Sequence, residues 1–444
     1  MSAIRGRAHR QQGVATLIVV MVLFFIVSLT AAYTNRNLIF EQRTSLNHYR
    51  STQALEAAEA GLEWAVSMLN YGRITDSCLK SINSTDTSFR QRYLNINATT
   101  GKITPVTPSA GGALTPSCVR TPAGWSCSCP TDAVPTLSAP TSPGVYPAFR
   151  VRFRPVIGVS GSLTVPRQPL VVNVDVVACT QLDTGQCLSF SGQGVQNEGR
   201  AVVSSMVGLK GNVSGMPQAA LTARGTVTTT GPWSIFNTQT DTSGITVHSG
   251  STISPGLSLF TVPGSPSSLS VVESDPALNF SAAAAASITP YSGADRMFSA
   301  VFNLRPEAFQ AQQAIVDLTC PMTGCTSAVV RAAISANPLR PLWLRGDLVI
   351  NSGGDIGAAA EPVTVVVEGN IVATASGVNL HGLFYSRSAT LNLSGSTRIN
   401  GALVAEGDLS GAGASTFVYD AGLLRFLRFN NGSFVRAPAS WRDY

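Results

Sequence analysis

Apolar positions fall into three patterns along the chain. The first is an unbroken run. No charged residue lies between Arg10 and Arg36, and residues 14–32 read VATLIVVMVLFFIVSLTAA. A bilayer core takes about 20 residues of helix, so this run predicts a membrane-spanning helix over 14–32. The run then gives way to a spacing of three to four, through Leu46, Tyr49, Ala54, Ala57, Ala58, Leu62, Ala65, Met68 and Leu69. No Pro interrupts it, and Gly61 is its one weak point. A single helix over 14–70 is expected, a rod of roughly 80 Å at 1.5 Å per residue. One half would sit in lipid and the other on protein.

The second pattern is alternation. In AFRVRFRPVI, Phe149, Val151 and Phe153 alternate with Arg150, Arg152 and Arg154, giving a strand with one apolar and one basic face. PLVVNVDVVACTQL predicts a second strand, with CLSFSGQ or GRAVVSSMVGL as its partner in an antiparallel meander. The preceding stretch, 71–145, is rich in Ser, Thr, Pro and Gly and reads as a loop-rich part of the same β domain, 71–210.

The third pattern is repetition. LWLRGDLVI (342–350), VVVEGNIVA (365–373), LFYSRSATLNL (383–393) and LVAEGDLSG (403–411) look alike. Gly346, Gly369 and Gly407 take equivalent corners, with Arg387 in that place in the third segment, so the spacings are 23, 18 and 20 residues. An earlier pair, ALTARGTVTTTG and GITVHSGSTIS, matches in style through Gly225 and Gly250. Repeats of about 20 residues with short apolar strands predict a β-solenoid over 216–444. Residues 260–340 interrupt it as a helical insertion, with helical patterns in the SAAAAAS run (281–287) and in 294–316, and a helix start at Pro306. Leu423, Leu424, Phe426, Leu427 and Phe429 are expected to shield the last rung. The fold class is therefore α+β joined to all-β: a long transmembrane and amphipathic helix, an antiparallel sheet, and a solenoid with a helical insertion.

Composition adds a compartment. Only 12% of the 444 residues are charged, and 40 Gly and 25 Pro suit β structure with many turns. Arg5, Arg7 and Arg10 precede the apolar run, and basic flanks stay cytoplasmic, so the bulk of the chain is exported. Removing a leader that holds those three would lower the net charge of +6 to about +3, which weakens any case for nucleic acid. In an exported chain the eight cysteines point to disulfides. Cys179 with Cys187 and Cys320 with Cys325 enclose short loops containing Gly185 and Gly324 and are the local candidates; Cys78, Cys118, Cys127 and Cys129 can pair in three ways. A zinc site at Cys118…Cys127-Ser-Cys129 lacks a nearby His and the usual spacing.

A basic leader ending in Gly13, the VATLIV opening and the QALEAAEAGLEWA helix together resemble the N-terminal domain of PilX-type minor pilins, low-abundance subunits of type IV pili. ALTARG, PVTVVVEGNI, GALVAEGDL and SWRDY resemble the C-terminal parts of large PilX-like assembly proteins. The resemblance implies cleavage by a prepilin peptidase between Gly13 and Val14, a methylated N-terminus, a pilin-like sheet after the helix, and residence in the inner membrane with the remainder periplasmic or in the pilus. It implies other major and minor pilins as partners, with adhesion to a surface or carbohydrate ligand as a role for the solenoid. Major pilins carry Glu at the fifth mature residue, where this chain has Ile18; the K-type tip subunit of type II secretion also lacks it. A secretory signal cut after Thr30-Ala31-Ala32 is the alternative, and leaves the following in-phase helix unexplained.

β-Helices also host polysaccharide lyases and hydrolases, so a membrane-anchored enzyme is the other class of function. Such a site needs clustered carboxylates. Asp347, Asp355, Glu361, Glu368, Glu406 and Asp408 are the candidates, but Asp347 and Asp408 follow corner glycines, where turns favour them. His248 and His381 sit in apolar rung contexts, and Trp125, Trp233, Trp343 and Trp441 are scattered. No catalytic set, metal site or cofactor is expected.

Overall fold

The computed structural model describes residues 12–443 except 84, 110, 112, 133–134, 136, 139, 142–144, 161–162, 167–169, 181–187, 191–198, 279–292 and 394. Helix α1, Gln12–Leu69, is continuous. Its C-terminal third lies across an antiparallel sheet whose strands run in the order Gly432–Arg436, Arg200–Gly211, Val171–Cys179, Ala148–Pro155, Ser117–Thr121 and Gly124–Ser128, with Arg442–Asp443 also on Arg200–Gly211. Alternation places Phe149, Val151 and Phe153 under α1 with Val172, Val174, Val176, Val203 and Val207. Of the two partners weighed for 171–179, Arg200–Gly211 takes the place.

The short helix α2, Phe89–Tyr93, starts at a capping box on Ser88 and Gln91 and drops Phe89 and Tyr93 into the same core. Disulfides Cys78–Cys129 and Cys118–Cys127 tie down the loop-rich stretch around it. A third links Cys320 to Cys325. Cys179 is also disulfide-bonded, whereas Cys187 lies outside the described residues.

Apart from two antiparallel pairs, Leu94–Ile96 with Ile103–Pro105 and Ile157–Ser160 with Leu163–Pro166, the remaining strands form a parallel, repeat-like stack. Each full turn offers up to three short strands. Thr397–Ala405 supplies two of them, because it bends at Gly401, whose φ of +127° favours glycine. A Cβ there would also meet the Gly382 carbonyl oxygen at 2.1 Å. Leu342, Val365, Phe384, Leu403, Leu221 and Val247 stand opposite one another in turn. Leu348, Ile371, Leu391, Leu409 and Val227 fill a second inward column.

That column is not in chain order. The turn beginning at Leu221 stacks on the one beginning at Leu403, with Leu221–Ala223 on Leu403–Ala405 and Val227–Thr229 on Leu409–Gly411. From there the chain runs outward through Val247–Ser249 to Val271–Val272. It resumes at the far end with Val316–Thr319 and returns through Leu342–Arg345, Val363–Val367 and Val378–Ser386. Two runs of chain thus meet at a seam between residues 182 apart.

Several sequence expectations change here. The interruption is narrower than 260–340, because Ser258–Phe260, Val271–Val272, Val316–Thr319 and Cys325–Thr326 are stack strands. Helices α3 (Gly293–Phe302), α4 (Pro306–Gln310) and α5 (Ser327–Ala336) lie between them, and α4 starts at Pro306; the SAAAAAS run is outside the described residues. The corner equivalent to Gly369 and Gly407 is Ser388, not Arg387, since Val367 faces Ser386 and Ser386 faces Ala405. Helix α6 (Ala421–Asn430) buries Leu423, Leu424 and Leu427 against the flank of Val378–Ser386 and Thr397–Ala405 rather than over an end. The turn at 416–419 needs no shield, because Ser234–Phe236 pairs with it.

The corners show why Gly and Asp recur. Asp347 Oδ1 accepts the Asn370 N–H at 2.8 Å, and a Cβ on Gly369 would stand 2.0 Å from that oxygen. Asp408 does the same for Thr226 N–H at 2.7 Å, with Gly225 making room. One turn supplies the carboxylate and the next supplies the gap.

Val365 is fully buried and Thr374 is exposed. Val365→Asp strands a carboxylate in the stacked core and is expected to cost more than about 4 kcal/mol, whereas Thr374→Asp stays within about 0.5 kcal/mol. Thermal or denaturant melting of the two variants checks this.

Candidate functional site

The chain offers two places to look for function: the uncovered part of α1 and the carboxylate-bearing faces of the stack. Residues 16–49 are exposed throughout, including Leu17, Ile18, Phe24, Phe25, Ile26, Leu38 and Phe40. The window from Thr16 is long and apolar enough to cross a membrane, and none of it is buried. Leu46 and Tyr49, read from the spacing as part of the packed stripe, are 54% and 63% exposed, so the stripe begins at Ala54. Below that point small residues set the contact. Ala54, Ala58 and Ala65 have no exposed surface, and a Cβ on Gly61 would lie 2.8 Å from Phe149 and Val176. Gly61 is therefore the residue that lets α1 close on the sheet, not a weakness in the helix.

The foot of α1 is bound to both halves of the molecule. Asn70 behaves as an extra strand residue: its Nδ2 donates to the Phe434 carbonyl at 2.8 Å, and its Oδ1 accepts the Phe434 N–H at 2.7 Å. Arg90 is fully buried with no carboxylate partner among the described residues. Its Nε, Nη1 and Nη2 donate to the carbonyls of Leu69, Asn430 and Gly432 at 3.0, 3.0 and 2.9 Å. Burial, with a smaller push from Arg340, pulls its pKa down to about 9. Arg73 Nε reaches Ser335 O in α5 at 2.5 Å. Glu63 on α1 pairs with Arg436 of the C-terminal strand.

The Arg150–Arg154 face is internally committed. Arg152 and Arg154 converge on Asp175, which also accepts from Ser204 at 2.8 Å. Burial alone would raise the Asp175 pKa, but these donors hold it below the usual carboxylate range. Arg152 also lies 4.0 Å from the Phe190 ring centre.

On the outer face of the stack, Arg345, Glu368, Arg387, Glu406 and Arg224 follow one another up a single column, because each backbone N–H bonds to the turn below. Charges alternate in sign along it. Trp343 donates to Glu368 at 2.7 Å and Tyr385 to Glu406 at 2.8 Å. Helix α3 covers this column: Phe298 and Phe302 pack on Tyr385, and Asp295 accepts from Arg387 at 3.1 Å. The sequence could have shown this ladder only if the repeat had been aligned at Ser388.

The carboxylates considered for catalysis are thereby assigned. Asp347, Asp355 and Asp408 cap backbone N–H groups of the next turn. Glu361 lies 3.8 Å from Arg73. Among the described residues no three His, Cys, Asp or Glu side chains come together as metal ligands would. Trp233 and Trp343 are buried; Trp125 and Trp441 are partly exposed, and Trp125 is packed on Phe149.

Comparison with known proteins singles out α1. Residues 12–63 match the PilX N-terminal family. No curated protein matches the chain. Among solved structures, the competence-associated pilin ComZ from Thermus thermophilus aligns over 89% of this chain and 97% of its own, at 11% identity and a TM-score of 0.22, which is too low to support an argument about fold. The chain therefore carries a PilX-type N-terminal domain and one candidate membrane-spanning helix. Ile18 lies on the exposed part of that helix; Gly13 and Val14 lie in its first turn, and the basic residues Arg5, Arg7 and Arg10 fall outside the described residues.

Burial drives the Glu406 pKa up to about 7, against the opposing pull of Arg387. The folded state then holds a proton that the unfolded chain loses near pH 4.5, so this site favours folding at low pH and its contribution is lost between about pH 4.5 and 7. Glu406→Gln retains an acceptor for Tyr385 and removes the titration. The stability difference between variant and parent should shift in favour of the variant by up to roughly 3 kcal/mol over that interval, measured by denaturant melts at each pH.

Proposed function

We propose that this protein is a minor pilin-like subunit of a type IV pilus assembly, held in the inner membrane and assembled through α1. The match of residues 12–63 to the PilX N-terminal family carries this reading. The division of α1 supports it: an apolar upper part with nothing against it and a lower part fixed to a folded body. In this reading the leader is removed between Gly13 and Val14 by a prepilin peptidase, the new N-terminus is methylated, and the helix leaves the membrane when it packs among the helices of other pilins. The repeat-like stack is a β-solenoid displayed outside the membrane, with a surface or carbohydrate ligand as its target.

Ile18 favours a place at the tip. A subunit entering beneath a row of pilins must bring its N-terminal amine into apolar surroundings, where an unpaired charge is costly. A carboxylate at the fifth mature position can pair with such an amine, and Ile18 cannot. The absence matters least where no subunit stands above. A stack of eight successive turns beside the helix foot is also a poor fit to the interior of a close-packed fibre. Initiating or capping the fibre follows as the role.

Mass spectrometry of the membrane-extracted protein is expected to show a methylated N-terminus at Val14; a chain beginning at Tyr33 would replace this reading with a secretory one. Immunogold labelling of sheared pili is expected to mark fibre ends at low copy. Regular labelling along the shaft would exclude the tip role.

A further inference from the structure

A part-enclosed cavity of about 580 Å³ lies at the seam of the stack, far from α1 in sequence and outside the pilin reading. Its walls include three pieces of chain that the out-of-order stacking brings together: Met216 and Pro217 before the Leu221 turn, Met297 and Val301 of α3, and Val404 of the returning run. The size is that of a small-molecule site, and most of the lining is apolar.

Its polar groups are few and arranged. Thr222 and His248 stand opposite each other on adjacent turns and both line the cavity. His248 Nε2 lies 2.5 Å from Asp275 Oδ2, while Asp275 Oδ1 accepts the Ala277 N–H at 2.8 Å, so both carboxylate oxygens are engaged. The donors from His248 and Ala277 hold the Asp275 carboxyl below its ordinary range. In the neutral imidazole, an ionised carboxylate at Nε2 keeps the proton on that nitrogen, which leaves Nδ1 as an acceptor. Nδ1 has no hydrogen-bond partner among the described residues and is not among the sealed polar atoms. Thr222 Oγ1 is buried beside it without a hydrogen bond. A nucleophilic role for Thr222 is unsupported, since no hydrogen bond joins it to the imidazole.

We propose that this cavity binds a small, neutral, mainly apolar molecule through a hydroxyl that donates to His248 Nδ1. The described lining residues include one acidic and one basic residue, Asp275 and Arg296, so they give no net attraction for an ion, and Arg296 is itself engaged. Among the described lining residues there is no Phe, Tyr or Trp to stack on a sugar ring. An apolar body fits the walls, and a hydroxyl satisfies the imidazole that water otherwise must.

The test is equilibrium dialysis of 2-naphthol and of naphthalene against the full chain in amphipol, with amphipol alone as blank. The parent should bind 2-naphthol saturably at about one equivalent, at least about tenfold more tightly than naphthalene, the worth of a single hydrogen bond. His248→Leu should bring the two affinities together. Ala300→Phe, placed at an exposed position on the α3 wall, should abolish both. No saturable binding above the blank, equal affinities in the parent, or unchanged binding in Ala300→Phe would each overturn the proposal; if Ala300→Phe does not fold, the affinity ratio in His248→Leu decides.

Discussion

Parallel pairing across the seam is the constraint on which the rest of the stack depends. A turn of this kind buries its inward residues only when another turn lies on each side. Leu403 and Leu409 would face water without Leu221 and Val227, and the reverse holds equally. Both runs advance in the same direction along the axis, so the earlier run can continue the later one as though the chain had been cut and rejoined. Backbone bonds hold the joint, such as Leu403 N–H to Ala220 O at 2.9 Å and Leu409 N–H to Thr226 O at 2.8 Å. So do corner carboxylates such as Asp408.

A second closure fixes the stack to the helix. After α6, the chain returns along Arg200–Gly211 as strand Gly432–Arg436 and meets Asn70 at the foot of α1. Buried arginines there donate to backbone carbonyls. Arg90 thereby satisfies the ends of α1 and α6 and the start of strand Gly432–Arg436 at once, a use that suits a planar group with five donors. The first helix and strand Gly432–Arg436 share one core, with Phe434 beside Val207 and Leu209.

What the sequence reveals follows the range of each interaction. The apolar run and the Phe149–Arg154 alternation are local, and both elements are where the pattern puts them. Leu46 and Tyr49 keep the helical spacing of Ala54 and Ala58 but lie beyond the edge of the sheet, which spacing cannot show. Gly346, Gly369 and Gly407 mark corners, while the third corner has Ser388; with no glycine to mark it, the sequence reading put Arg387 in the corner and so moved the register by one residue. Val365, Val366 and Val367 read as one apolar run because α3 and its neighbours cover the outer side as the core covers the inner. The order of turns was illegible: nothing near Leu221 signals a partner 182 residues away. His248 looked like an ordinary rung residue because Asp275 and α3 come from other parts of the chain.

The seam also sets an order of events in time. Synthesis runs from the N-terminal end, so the turns at 221–272 are made before those at 397–419. During that interval one edge of the early turns is an unpaired parallel strand, the kind of surface that recruits other chains. Long-range parallel pairing is also slow to form. In the function proposed above, α1 holds the early turns at the membrane surface while they wait, which confines the search for the late turns to the same tethered molecule. In that reading the anchoring helix also keeps an unfinished stack from being completed by the wrong neighbour.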